Sequence, residues 1–212
     1  MAERKPLERR AYDFDVRAEE TERGHILTGR PIVFGQKTDM RWFDEVIDAG
    51  ALNGTDMTDV RFLVNHDISR VPLARSRRNN GNSTMQLTPD EKGLSLDWVD
   101  LDTENNMDAR ALYSAASRGD ITGMSFMFSI DGESWENLES DHPTRHITKI
   151  GSIVEVSAVT FPAYDATEIS ARGKEALESA RSALESARQQ RGRSVETDLE
   201  LAKAKTILLG GF

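Results

Sequence analysis

Alternating apolar and polar positions dominate the first two thirds of the chain. The segment 94–99 alternates large apolar residues with serine and aspartate, and 124–130 places its phenylalanines on one face and two serines on the other. A period of two is typical of strands with one buried face, and turn-rich stretches separate such segments. This spacing predicts an antiparallel sheet or barrel, with strands near 12–16, 25–35, 60–66, 94–99, 121–130 and 147–161.

One segment between these strands follows a helical period instead. Met107, Leu112 and several alanines fall on one face, Asp102 or Thr103 is available as an N-cap, and Gly119 follows the last periodic residue. Polar caps and a terminal glycine are the usual limits of a helix. We therefore expect one helix shortly before the strand at 121–130.

The chain changes character after Gly173. Residues 176–189 contain a nearly perfect seven-residue repeat, with Leu177, Ala180, Leu184 and Ala187 at 3-4-3 spacing. This spacing is typical of a coiled-coil seam or of a helix docked on a protein surface. Two heptads are too few to establish a coiled coil. Gly192 is expected to interrupt the repeat, with a further short helix after it.

Composition narrows the possible function classes. The chain has 212 residues, of which 38% are hydrophobic, and its formal charge is 27 − 36 = −9. A net negative protein does not attract DNA or an anionic membrane by its bulk charge. Cysteine is absent, which excludes disulfides, cysteine-ligated zinc and a thiol nucleophile. No apolar run approaches the roughly 20 residues that span a bilayer, and the charged start does not resemble a secretory signal. We expect a cytoplasmic globular protein.

Three residues combine into a candidate catalytic set. His66 ends an apolar strand, Ser125 lies in the strand at 121–130, and Glu155 interrupts the most apolar strand. A serine hydroxyl needs an imidazole to take its proton, and the imidazole benefits from a carboxylate that orients it. The alternatives for the same residues are a structural histidine, a small polar residue on a solvent-facing strand, and a solvent-facing glutamate. Sequence spacing alone does not decide between them.

Other chemistry has weaker support. His142 and His146 have the i, i+4 spacing of helical metal ligands, but Pro143 and the surrounding acidic loop argue against a helix there. No glycine-rich phosphate loop or dinucleotide fingerprint is present. The arginines between 70 and 78 are best explained as a solvated loop in an acidic protein. We therefore predict no metal and no cofactor.

Four motifs, in chain order, resemble those of one protein family. These are E-V-I-D-A-G-A-L at 45–52, N-H-D at 65–67, G-M-S-F-M-F at 123–128 and E-V-S-A-V-T-F-P-A-Y at 155–164. Together they resemble the prohead maturation proteases of tailed bacteriophages, which are relatives of the herpesvirus assemblins. The resemblance covers roughly residues 11–172.

The resemblance implies a fold and a site. It implies an α+β fold, namely a mainly antiparallel, closed or nearly closed β-barrel with surrounding helices. The C-terminal helical tail lies outside the resemblance and is predicted from the seven-residue repeat. We expect a flexible arm at 1–10, a serine protease domain at 11–172 and the tail at 173–212. By the same resemblance Ser125 is the nucleophile and His66 the general base. Glu155 is our choice for the third member, with His142 and His146 as rivals because assemblins use a second histidine there.

The resemblance also implies partners. The expected activity is that of a serine endopeptidase that cleaves the scaffold segment from the major capsid protein during prohead maturation, and that also cleaves itself. It would act inside the immature capsid in the host cytoplasm, without membrane or direct nucleic-acid binding. The tail could dock on capsid protein, form a homodimer or be removed by self-cleavage. The alternative function is a non-catalytic assembly or scaffolding protein that acts through its C-terminal helix.

Overall fold

The computed structural model describes residues 6–13, 16–160 and 171–209. Within these residues the chain forms eleven strands, which are arranged in two sheets, and two helices, of which the second is long and C-terminal. In chain order the elements are β1 (Leu7–Asp13), β2 (Arg17–Thr21), β3 (Gly24–Val33), β4 (Thr38–Asp39), β5 (Asp44–Ile47), β6 (Val60–Val64), β7 (Ala74–Ser76), β8 (Met85–Asp90), β9 (Gly93–Leu101), α1 (Met107–Ser117), β10 (Gly123–Glu136), β11 (Thr144–Val159) and α2 (Ala171–Leu209).

Strand β11 is the centre of the larger sheet. It pairs antiparallel with β10 along its length, and β10 pairs antiparallel with β1. On its other side β11 pairs in parallel with β5 near its start and with β6 near its end. β4 and β7 then complete the seven strands. A sixteen-residue strand is long enough to carry two successive partners on one edge, so this sheet forks.

The expected α+β class is confirmed, but the sheets do not close into the barrel, closed or nearly closed, that was expected. The second sheet has the order β2-β3-β9-β8 and shares no strand with the first. In the part of the chain that the structure describes, both sheets are open. The apolar faces of the two sheets pack together, and the core is built from residues that include Leu27, Leu96, Phe62, Phe126 and Phe128. Closure is unnecessary because the core is covered by stacking rather than by a continuous ring.

The N-terminal prediction needs a correction. Residues 7–10, assigned to a flexible arm, belong to strand β1. Arg10 is buried and donates from Nη2 to Glu45 at 2.6 Å, while Arg145 Nη2 donates to Glu8 at 3.1 Å. Charged side chains are normally solvated, which is why the segment resembled an arm. Here each charge is buried together with an opposite charge.

The helices follow the predicted pattern with two changes. The N-cap of α1 is Asn106, rather than Asp102 or Thr103, and its side chain accepts from the backbone N–H of Asp108 at 2.9 Å. Helix α2 continues through Gly192 without the expected interruption. Of the predicted seam, Ala180 and Leu184 are buried against Met40, Phe43 and Leu138, and Ala187 packs beside them. The side chain of Leu177 lies outside the described residues. In the described residues, no helix has the length and apolar character needed to cross a membrane.

Candidate active site

Three neighbouring strands bring the predicted residues together. Ser125 on β10 lies directly opposite Ser157 on β11, and Glu155 precedes Ser157 by two residues. Because side chains alternate along a strand, Glu155 and Ser157 share one face with Ser125. His66 follows the end of β6, which is the parallel neighbour of this part of β11. Residues separated by 59 and 89 positions along the chain therefore meet at one place.

The contacts form a continuous hydrogen-bonded chain. His66 Nε2 lies 2.5 Å from Ser125 Oγ, and His66 Nδ1 lies 2.6 Å from Glu155 Oε2. The exposed fractions of Ser125, His66 and Glu155 are only 1%, 8% and 3% respectively. The alternatives of a solvent-facing serine and a solvent-facing glutamate are therefore wrong. A carboxylate at Nδ1 fixes the imidazole tautomer that leaves Nε2 free to accept the serine proton.

His66 is held in an unusual backbone conformation. Asn65 and His66 have φ values of +52° and +57°, the left-handed region, which costs a non-glycine residue of order 1 kcal/mol. The Asn65 side chain compensates by accepting from the backbone N–H of Thr160 at 3.0 Å and donating to the Thr160 hydroxyl at 3.1 Å. The Asn65 backbone N–H also donates to the Ala158 carbonyl at 2.9 Å. These bonds tie the turn that carries the imidazole to the end of β11.

Ser157 is a site residue that the sequence analysis missed. Its buried hydroxyl accepts the backbone N–H of His66 at 3.0 Å and donates to Glu155 Oε1. It therefore contacts both the residue that carries the imidazole and the carboxylate that orients it. The available signal was strand alternation, which places Ser157 on the same face as Glu155.

The Ser125 hydroxyl has a second neighbour. Its Oγ lies 2.7 Å from the carbonyl oxygen of Arg10 on β1. A hydroxyl has one hydrogen, so it can donate either to this carbonyl or to His66 Nε2. Strand β1 therefore limits both the exposure and the hydrogen bonding of Ser125.

The two rival histidines lie elsewhere. His146 Nδ1 bonds Asp48 at 2.8 Å, and His142 Nε2 bonds Asp44 at 3.1 Å. His146 is on the same strand as Glu155 but nine residues earlier, which corresponds to about 30 Å of extended chain. Neither histidine contacts His66. Among the described residues, the group bonded to His66 Nδ1 is the carboxylate of Glu155 rather than a second histidine.

Among the described residues, no cluster of metal ligands lies at the site of Ser125, His66 and Glu155. A possible cluster elsewhere consists of Asp39, Asp44 and His142, whose ligand atoms lie within 4.8 Å of one another. This group lies near the start of β11, where Asp44 pairs with Thr144, and Lys37 already pairs with Asp44 at 2.9 Å. The hydrogen-bonded residues Ser125, His66 and Glu155 instead supply a hydroxyl, an imidazole and a carboxylate, which is a set of groups suited to proton transfer.

Comparison with known proteins identifies the family. The family model described as caudovirus prohead serine protease matches residues 12–181, which is four fifths of the chain and includes all three residues of the hydrogen-bonded chain. No curated protein and no solved structure matches the chain significantly. The match over most of the length, together with the strands that carry the serine and the histidine, shows that this chain belongs to the caudovirus prohead serine protease family.

Proposed function

We propose that Ser125, His66 and Glu155 are the catalytic triad of a serine endopeptidase. The observation that carries the proposal is the bonded sequence from Glu155 Oε2 through both nitrogens of His66 to Ser125 Oγ, with distances of 2.6 and 2.5 Å. Burial supports the same roles, because proton transfer between these groups is then not in competition with bulk water.

The proposed reaction follows from these contacts. His66 Nε2 removes the proton from Ser125 Oγ, which attacks a peptide carbonyl carbon, and backbone N–H groups stabilise the resulting oxyanion. When the C–N bond breaks, His66 donates the proton to the departing amine. A water molecule, deprotonated by His66, then releases the acyl group from Ser125. Glu155 remains ionised and stabilises the imidazolium. For the first step the Ser125 hydroxyl must turn its hydrogen from the Arg10 carbonyl to His66.

The proposed substrates are the major capsid protein with its scaffold segment, and the protease chain itself. The family description refers to the prohead, which supports action inside the immature capsid in the host cytoplasm. The tail helix has a docked part around Leu184 and a second part whose side chains at Val195 and Leu199 are exposed. The exposed part supports a role of the tail in capsid docking or dimerisation.

Co-expression with the capsid protein tests the triad. Ser125→Ala should abolish trimming of the capsid protein, whereas Ser129→Ala, a matched change of a buried serine on the same strand, should leave it intact. A fluorophosphonate probe should label the wild type and Ser129→Ala but not Ser125→Ala. Trimming at the normal rate by Ser125→Ala would contradict the assignment of the nucleophile.

The same experiment addresses the alternative of a non-catalytic assembly protein. That function requires the Ser125→Ala variant to support shell assembly and capsid-protein maturation as well as the wild type does. Removal of residues 174–212 separately tests the tail. Unchanged incorporation of the truncated chain into proheads would argue against a targeting role.

A further inference from the structure

The second half of helix α2 continues past the half that packs against the rest of the protein. The docked half ends with an ion pair between Arg191 Nε and Glu139 at 2.9 Å. Residues 192–209, which we call the distal segment, follow this contact as regular helix. The described residues of the segment, 192–203, are all exposed. At 1.5 Å per residue the segment is about 27 Å long, which is enough helix to form an interface of its own.

An apolar stripe runs along the distal segment. Val195 and Leu199 are 59% and 53% exposed, and Ala202 continues their spacing at i, i+4 and i+7, which is one face of a helix. Successive residues of a helix are rotated by about 100°, so Val195 lies about 20° around the axis from Leu184. Leu184 is buried against Met40 and neighbouring residues. The stripe therefore continues the docked face of α2, and it presents apolar surface of the kind found at interaction sites.

The docked face restricts how a second helix can pack on this stripe. A parallel helix in register would have to pass through the side where Met40, Phe43 and Leu138 already pack on α2. An antiparallel helix avoids this side. When Leu199 of each copy lies beside Ala202 of the other, position 192 lies opposite position 209, and the docked half of the second copy begins just beyond the end of α2. The distal segment is therefore as long as an antiparallel pair requires.

The charges beside the stripe are self-complementary in the antiparallel arrangement. Glu196 and Lys203 lie on the same flank, because seven residues correspond to nearly two turns. The register above places Glu196 of each copy beside Lys203 of the other, and two-fold symmetry forms this contact twice. Lys203 Nζ also lies 3.0 Å from Glu200 in its own helix, and an ammonium group has three donors, so it can bond both carboxylates. Charges that flank an apolar seam determine partner choice and orientation.

We propose that the distal segment binds the distal segment of a second copy of this chain, as an antiparallel helix pair with two-fold symmetry. The proposal rests on the tail's role in the proposed function and names its partner, but it does not use the assignment of Ser125. A second copy is favoured because the stripe, the flanking charges and the length of the segment each match their own two-fold copy. The seam is short, so we expect a reversible dimer with a dissociation constant of about 10–100 µM.

Substitution of one seam residue tests the interface. In the full-length chain, Leu199→Glu should weaken dimerisation by about tenfold or more in sedimentation equilibrium, because it places a charge without a partner in an apolar seam. Leu201→Glu is the matched control, since Leu201 is 56% exposed and lies about 160° around the helix from Leu199. Its dissociation constant should remain that of the wild type. Thermal unfolding should show that both variants are folded.

Charge reversal tests the register. Glu196→Lys and Lys203→Glu should each weaken self-association by about tenfold, because each variant replaces two attractive contacts by two repulsive ones. An equimolar mixture of the two variants should recover the wild-type affinity, since every flank contact between them joins opposite charges. A mixture that associates no better than either variant alone would contradict the proposed register.

The chain contains no cysteine, so single introduced thiols report the orientation of the pair. Leu199→Cys lies near the two-fold axis and should cross-link to a second copy through a short bis-maleimide. Val195→Cys should not, because antiparallel pairing separates the two copies of this position by about 16 Å along the axis. Efficient cross-linking of Val195→Cys would show a parallel pair and overturn the proposal.

Failure of the helix pair and failure of the proposed function are distinguishable. A wild type that stays monomeric about tenfold above the expected dissociation constant overturns the helix pair. If Leu199→Glu, but not Leu201→Glu, is then lost from proheads, the stripe binds capsid protein instead. Absence of fluorophosphonate labelling at Ser125 in a dimeric wild type would overturn the protease activity and leave the helix pair in place.

Discussion

The backbone N–H of His66 donates a hydrogen bond of 3.0 Å to the hydroxyl of Ser157. Because that hydroxyl can donate its own hydrogen to Glu155, one small side chain links the backbone of the proposed base to the carboxylate that orients it. The left-handed conformation of Asn65 and His66 is maintained by this bond and by the contacts of Asn65 with Thr160. The imidazole is thus positioned by strand β11 twice, through its ring and through its backbone.

We expect Ser157→Ala to lower kcat by about 10- to 100-fold, because one lost hydrogen bond to a charged group corresponds to roughly 1.5–3 kcal/mol. KM should change little, since the Ser157 side chain is fully buried and cannot contact a bound substrate. Ser157→Thr retains the hydroxyl and should recover part of the activity. Ser152→Ala on the same strand is the control. Equal losses in Ser157→Ala and Ser157→Thr would indicate a packing role instead.

Glu155→Gln should lower kcat by about three to four orders of magnitude with the fold intact, because an amide no longer stabilises the imidazolium and can favour the wrong tautomer. His142→Ala and His146→Ala should retain nearly full activity. The measurement is single-turnover cleavage of a capsid-derived peptide, with thermal unfolding to verify that each variant is folded. A larger loss in either histidine variant than in Glu155→Gln would contradict Glu155 as the third member.

Glu8 and Arg10 of β1 form buried ion pairs with Arg145 and Glu45, and these pairs should contribute most of the stability of that strand. Arg10→Ala leaves Glu45 and Glu8 buried with one cation fewer, so we expect a loss of roughly 3–5 kcal/mol in the free energy of unfolding. Arg30→Ala, which removes the partly exposed pair with Asp90 at 2.6 Å, should cost less than about 1 kcal/mol. Urea denaturation measures both. Similar losses in the two variants would show that burial of the Arg10 cluster adds nothing.

Stability should depend on the ionisation of Glu8. Burial opposes its charge, but Arg10 and Arg145 outweigh burial and hold the pKa of Glu8 below its usual value of 4.5. A carboxyl with a lowered pKa contributes stability above its unfolded value, and the contribution is lost as the pH falls through the folded value. The difference in unfolding free energy between wild type and Glu8→Gln should therefore be constant near neutral pH and shrink below about pH 4.5. A difference that grows on acidification would contradict this sign.

Much of the site could be read from local sequence. Alternation predicted the strands that became β9 and β10, the apolar run at 147–161 predicted β11, and the motifs singled out Ser125, His66 and Glu155. Strand periodicity depends on neighbouring residues alone, and the motif residues differ chemically from the apolar strands around them. The 3-4-3 spacing of the repeat likewise predicted that the seam residues Ala180 and Leu184 pack against another surface, but it did not identify the residues of that surface.

The tertiary structure decided the rest, because it depends on which distant segments meet. The charged residues of β1 resemble a solvated arm until Glu45 and Arg145, supplied by two other strands, neutralise them. Ser157 resembles any strand serine until the turn after β6 presents a backbone N–H to it. The larger sheet forks because β11 accepts two parallel partners, β5 and β6, in succession. Pairing across 35 to 137 residues leaves no periodic signal along the chain, so only the folded arrangement shows it.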